Sequence, residues 1–168
     1  MLAQLAQINI ARARGPMDTP IMAEFVHALD EINALAESSP GFVWRFKTDE
    51  GHAIGVQSYP DPLIFINLSV WTAPEALKAY VYGTMHAKYF AQRAAWFEKL
   101  AGMSFALWWI PADTRPTVAE AQARLDHRDR YGDTPYSFSF KQTFSAAAGL
   151  AALPGSMTGA DPSHVSRP

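Results

Sequence analysis

The stretch YVYGTMHAKYFAQRAAWFEKL (80–100) places Tyr82, His86, Tyr89, Arg93 and Trp96 at steps of four, three, four and three. On a helix this spacing stacks all five side chains on one face. Water alone does not require three aromatics there, and a core alone does not require His and Arg. His86 has the titration range of a general acid or base. Arg93 has the donor geometry to hold an anionic or enolic oxygen, and Tyr82 and Tyr89 supply aromatic walls for a small molecule. The bland alternative is an amphipathic helix whose boundary residues bury their stems and keep their tips wet.

A second candidate lies in LIFINLSVW (63–71), the strongest strand pattern in the chain. Ile64, Ile66, Leu68 and Val70 form an aliphatic face, and Phe65, Asn67, Ser69 and Trp71 a mixed one. An apolar strand has little structural reason to carry Asn67, because a buried amide must find hydrogen-bond partners.

The elements that would position these residues follow from pattern. LAQLAQINI (2–10) reads as a strand, with Ala6, Ile8 and Ile10 on one side and Leu5, Gln7 and Asn9 on the other. Thr19 and Pro20 open a helix carrying Phe25, Leu29, Ile32 and Ala36 at helical spacing, ending near Ser39-Pro40-Gly41. FVWRFK (42–47) alternates, with Phe42, Trp44 and Phe46 on one face. After the turn TDEG, residues 53–59 suggest a short return strand. Thr72 and Pro74 open a second helix that bends or breaks near Gly83 and resumes to about Ala101. MSFALWWI (103–110) is a further strand, with Trp108 and Trp109 on opposite faces. Thr117 and Glu120 have the spacing of a capping box, so a third helix runs to about Arg130. PYSFSFKQTF (135–144) looks extended, and residues 146–168, poor in large apolar side chains, read as a flexible tail after a single domain of residues 1–145.

The order indicates an α+β, ferredoxin-like βαββαβ antiparallel sheet with its two helices on one face, plus an added C-terminal helix. Two helices leave the aliphatic side of 63–71 bare. A second sheet from a twin subunit is the simplest cover, which makes a homodimer the expected partner and a dimeric α/β barrel the expected architecture.

Composition narrows the functions. The chain has 168 residues, is 49% hydrophobic and 12% aromatic, and carries a net charge of −2 with its Lys and Arg scattered. The electrostatic footprint of a nucleic-acid binder is missing. Without cysteine there is no disulfide, thiolate nucleophile or Cys-based zinc site. His27 and Glu31 are correctly spaced for two metal ligands, but nothing supplies a third, so no metal is expected. No apolar run approaches the roughly 20 residues that span a bilayer. MLAQLAQINI lacks the basic and long apolar regions of a signal peptide, so a cytoplasmic location is expected. His52 falls in a turn and His164 in the tail, and DHRDR (126–130) reads as a solvated charge run.

The stretches SPGFVWRFKTDEG, INLSVWTAPEALKAYVYGTMH, QRAAWFEKL, LWWIPADTRPTVAEAQARL and GDTPYSFSF resemble the bacterial domain-of-unknown-function family 3291, over residues 2–144. INLSVWTAPEALKAYVYGTMHAKYF also resembles the antibiotic-biosynthesis-monooxygenase superfamily of dimeric α/β barrels. Cofactor-free oxygenases of that fold use an Asn and a Trp four positions apart on the strand before the second helix. Asn67 and Trp71 have this spacing and share a strand face. The resemblance implies a monooxygenase-like enzyme without a cofactor, acting on a small aromatic or polyketide-like molecule through a substrate carbanion that reduces O₂. Asn67, Trp71 and His86 are then the expected catalytic residues, with Trp44, Tyr82, Tyr89 and Arg93 as substrate contacts. The heme-degrading branch of the superfamily implies an alternative. Asn9 fits its first-strand position, but Tyr80 and Phe90 stand where a Trp and a His are expected, leaving His86 as a displaced heme ligand. A non-catalytic small-ligand-binding dimer is the third reading.

Overall fold

The computed structural model describes residues 2–47 and 58–154, apart from the side chains of residues 84–86. The TDEG turn and most of the return strand expected at 53–59 lie outside the described residues. Strand β1 (Ala3–Ala13) is followed by a short 3₁₀ turn and helix α1 (Ala23–Ser38), then β2 (Phe42–Arg45) and β3 (Ile64–Trp71). Helices α2 (Pro74–Tyr82) and α3 (Thr84–Trp96) come next, then β4 (Phe97–Glu98), β5 (Phe105–Pro111), α4 (Val118–Tyr131) and α5 (Ala146–Ala151).

Among the described residues all strand pairs are antiparallel. β1 lies at the centre, with β3 on one side and β5 on the other. β2 sits outside β3, and β4 extends the β5 side at Arg12–Ala13. This is the ferredoxin-like α+β arrangement. Its register is chemically selective: Gln7 faces Ser69 and Asn9 faces Asn67, so the polar residues of two largely apolar strands meet one another. A slip of one residue would turn Gln7 into the aliphatic face.

The loop between α1 and β2 depends on Gly41, whose φ of +83° suits glycine. A Cβ there would lie 2.5 Å from Ala76 Cβ, so α2 packs directly on the turn. The next residues depart from simple alternation. A register irregularity between Phe42 and Trp44 turns Phe42 toward the helices while Val43 and Trp44 join the opposite, aliphatic face. Bulges of this kind break period-two reading.

The two sheet faces carry different cores. Helices α1 to α3 cover the mixed face, where Phe25 and Leu29 pack near Phe65, and Leu77 near Trp71. The aliphatic face of Ile8, Ile66, Leu68, Val70, Trp108 and Ile110 is covered by α4, which contributes Ala121 and Leu125. The bare face that called for a twin subunit is therefore filled within the chain. Helix α4 begins on the expected cap, Thr117 accepting from the Glu120 N–H at 3.1 Å, and crosses the sheet instead of extending beyond it.

A clasp joins α4 to the segment after it. Arg124, buried, donates to the Tyr136 carbonyl at 2.6 Å and lies over the Tyr136 ring at 3.8 Å. Arg128 pairs with Asp133 at 2.6 Å, and the Ser139 hydroxyl donates to the same carboxylate. The stretch expected to be extended is a chain of turns with isolated bridges. One bridge pairs Phe138 with Leu107 and closes the outer edge of β5. Helix α5 follows directly on the boundary expected at residue 145. Helix α5 packs Leu150 into the core, and Gly149 lies against Trp109 so closely that a Cβ would fall 2.6 Å from its Cδ1. No described helix is long and apolar enough to cross a membrane.

Candidate active site

The mixed face of the sheet holds a chain of polar groups. Gln7 Nε2 donates to Asn67 Oδ1 at 2.6 Å and to Ser69 Oγ at 3.0 Å. The Trp71 indole N–H donates to the same hydroxyl at 2.8 Å. Asn67 and Trp71, four positions apart on β3, are thus joined through Gln7 and Ser69, both buried. The two residues differ in access. Trp71 is only 1% exposed, stacked on Tyr80 at 5.1 Å and met edge-on by Phe42 at 5.4 Å. Its N–H is occupied, so it braces the network and does not reach a ligand.

Asn67 is half-buried and opens on a cleft between α1 and the β2–β3 edge, lined also by Leu29, Asn33, Arg45, Phe46 and Phe65. Its oxygen is held by Gln7, and its NH₂ group has no partner among the described residues. Asn33 is 9% exposed on the buried face of α1, one turn beyond Leu29, and its amide makes no hydrogen bond among the described residues. Arg45 donates from Nε to Glu37 at 2.8 Å. The floor is apolar. Tyr80 lies outside the cleft, stacked on Trp71; burial pushes its phenol up to about 12, partly offset by the positive charge of Arg45, and its hydroxyl is 3.5 Å from the Ile32 carbonyl. A cleft with these groups offers N–H donors to an oxygen-bearing molecule against an aromatic floor.

The helix stripe is not one wall. Gly83 is extended, with ψ of 154°, and ends α2 before α3 begins, so Tyr82 and His86 are not on one continuous helix face. Tyr82 is 62% exposed and pairs with Phe140. Arg93 is exposed and stacks on Phe90 at 3.6 Å. Tyr89 and Trp96 turn inward to a separate core with Phe25, where the Tyr89 hydroxyl donates to Glu31 and that bond raises its pKa. Trp44 lies across the sheet, under Arg115 at 5.8 Å. None of these five lines the Asn67 cleft. His86 belongs to α3, with its side chain outside the described residues. No group of three metal-ligating side chains occurs among the described residues.

Sequence reading missed Gln7, Ser69, Asn33 and Arg45. The signal for Gln7 and Ser69 was present: polar residues at alternate positions of two apolar strands satisfy one another when the strands pair. Asn33 could be found by extending the buried helix face from Leu29 by one turn.

No protein with a curated description is detectably similar to the chain. Among solved structures, SnoaB, a cofactor-independent oxygenase from Streptomyces nogalater, is 15% identical over 67% of this chain and 95% of that one, with a TM-score of 0.45. A protein of unknown function from Nitrosomonas europaea is 14% identical over 69% and 95%, with a TM-score of 0.44. Rv0793 from Mycobacterium tuberculosis is 11% identical over 68% and 99%, also with a TM-score of 0.44. Likenesses this distant say nothing about activity. The model of one family, domain of unknown function DUF3291, matches residues 4–152, and the chain belongs to that family.

Proposed function

We propose that the protein is a cofactor-independent, monooxygenase-like enzyme that acts on a small aromatic or polyketide-like molecule at the Asn67 cleft. The observation that carries the reading is the Asn67 amide. It is anchored through its oxygen by Gln7 and leaves its NH₂ group without a partner, beside an aromatic floor.

In this mechanism an acidic C–H of the substrate loses its proton, and the resulting charge spreads onto a neighbouring carbonyl oxygen. Asn67 N–H stabilises that oxygen, an effect worth most where water is excluded. The carbanion then gives its electrons to O₂ and forms a C–O bond. Loss of water from the peroxide leaves a new carbonyl. The substrate itself is the reductant, so the electron balance closes without a cofactor. Trp71 acts as a positioning residue through Ser69. His86 is the proposed proton acceptor, on the ground that a neutral imidazole accepts protons near pH 7.

Oxygen uptake with a panel of quinol-like aromatic compounds tests this. Turnover by the wild type should fall by about 10²-fold to 10³-fold in Asn67→Ala, the usual effect of losing one oxyanion donor. His86→Ala should fall as well. Unchanged turnover in the double variant would refute the mechanism. Saturable binding of a panel member without oxygen uptake would replace it with a non-catalytic binder.

A further inference from the structure

The groups around the cleft are unbalanced in kind. Arg45 uses its Nε–H on Glu37, and its remaining N–H groups have no partner among the described residues. Its side chain is only 13% exposed, whereas that of Glu37 is 42% exposed, so the counter-charge sits toward solvent and the guanidinium toward the interior. Asn33, on the inward face of α1, adds an amide that makes no hydrogen bond among the described residues, and Asn67 adds its NH₂ group. Both amides still reach solvent, so they are open to a ligand.

Donors therefore outnumber acceptors, and a positive charge lies among them. Water, equally donor and acceptor, answers this set poorly, while an acceptor-only oxyanion answers it well. Size adds a second constraint. The cleft interior has room for about one water, so it admits a single oxygen of a head group and not a ring. The apolar edges of Leu29 and Phe65 are where a ring would rest.

We propose that Arg45 and Asn33, together with Asn67, form an anion-recognition site, and that the molecule taken is a planar organic acid whose carboxylate or enolate enters the cleft. This rests on the reading that a small molecule docks at Asn67, and it assigns Arg45 and Asn33 as the residues that set specificity. Arg45 fits the role because its fork matches a planar pair of oxygens.

The test is titration of the full chain with salicylate, against the neutral analogue salicyl alcohol, followed by calorimetry and by amide NMR shifts at α1 and β2. Wild type should bind salicylate at millimolar concentrations and the alcohol at least about tenfold more weakly. Arg45→Gln and Asn33→Leu should each weaken salicylate at least about tenfold, the lower range for a lost charge-assisted bond. Glu37→Gln breaks the same ion pair but keeps Arg45, and it should retain binding, which separates a lost anion contact from a disturbed fold. Absence of salicylate binding, equal binding of the alcohol, or full binding by Arg45→Gln overturns the proposal. The two readings fail separately. Arg45-dependent salicylate binding with no oxygen uptake from any compound removes the oxygenase and keeps the anion site. Turnover of neutral quinols that survives Arg45→Gln does the reverse.

Discussion

Ser69 accepts two hydrogen bonds, from Gln7 and from the Trp71 indole, and so links strand register to the candidate site. Ser69→Ala leaves both buried donors without that acceptor. It should destabilise the fold by about 1–3 kcal/mol in urea denaturation, and unchanged stability would show that the network is not structural. Tyr80 gives a pH prediction. Its phenol ionises at about 12 in the fold against 10.0 normally, because burial disfavours the charged form. Between those values the unfolded chain releases the proton and the folded chain keeps it, so this contribution to stability is complete below pH 10 and is lost as pH rises toward 12. Tyr59 and Tyr89 shift in the same direction, so Tyr80→Phe should remove part of the alkaline loss and not all of it. An identical stability–pH curve would contradict the assignment. At this scale Asn67 was legible because a lone amide in an aliphatic strand needs a reason. Its partner Gln7 was not, because the two lie 60 residues apart and only the register joins them.

Elements were more legible than the faces they present. The longer strands, the capping box and the interruption at Gly83 follow from local chemistry, since Gly, Pro, Thr and alternation act within a few residues. The helix expected to run to about Ala101 instead ends at Trp96, and β4 takes Phe97 and Glu98. Tyr82 left the stripe because helical geometry was carried across a residue with extended backbone, while along α3 Tyr89 and Trp96 turn to the core and Arg93 to solvent. Trp44 was misplaced because one irregularity between Phe42 and Trp44 changes which face follows. Helix α5 was hidden by its composition: AAAGLA lacks bulk, and its docking depends on a glycine that lets Trp109 approach. Gly149→Ala puts a Cβ into that indole and should cost about 1–3 kcal/mol, the range for an overpacked core, read as a lower thermal midpoint. A gain in stability, as expected for alanine in an unpacked helix, would show that α5 is not held against Trp109.

For the whole molecule, the decisive event is the return of α4 across the aliphatic sheet face. The fold class was readable in the order of elements, but this return was not, because α4 follows β5 through a short loop that does not reveal which face it will take. Ala121 and Leu125 cover side chains whose burial is worth about 1.5–3 kcal/mol each. A chain ending at residue 116 loses α4, the clasp and α5 together. It should self-associate through the exposed face, seen as a mass above that of one chain in light scattering. A cooperative, monomeric fold from that fragment would mean that α4 is dispensable cover.

The central place of β1 constrains when the protein can fold. Residues 3–13 are synthesised before either of their two neighbours, residues 64–71 and 105–111. As the polypeptide leaves the ribosome, the strand destined for the middle of the sheet must wait with both edges open. Pairing across such separations closes long loops before any contact is gained, which slows folding. The full sheet thus waits for residues 105–111, long after its central strand has been made.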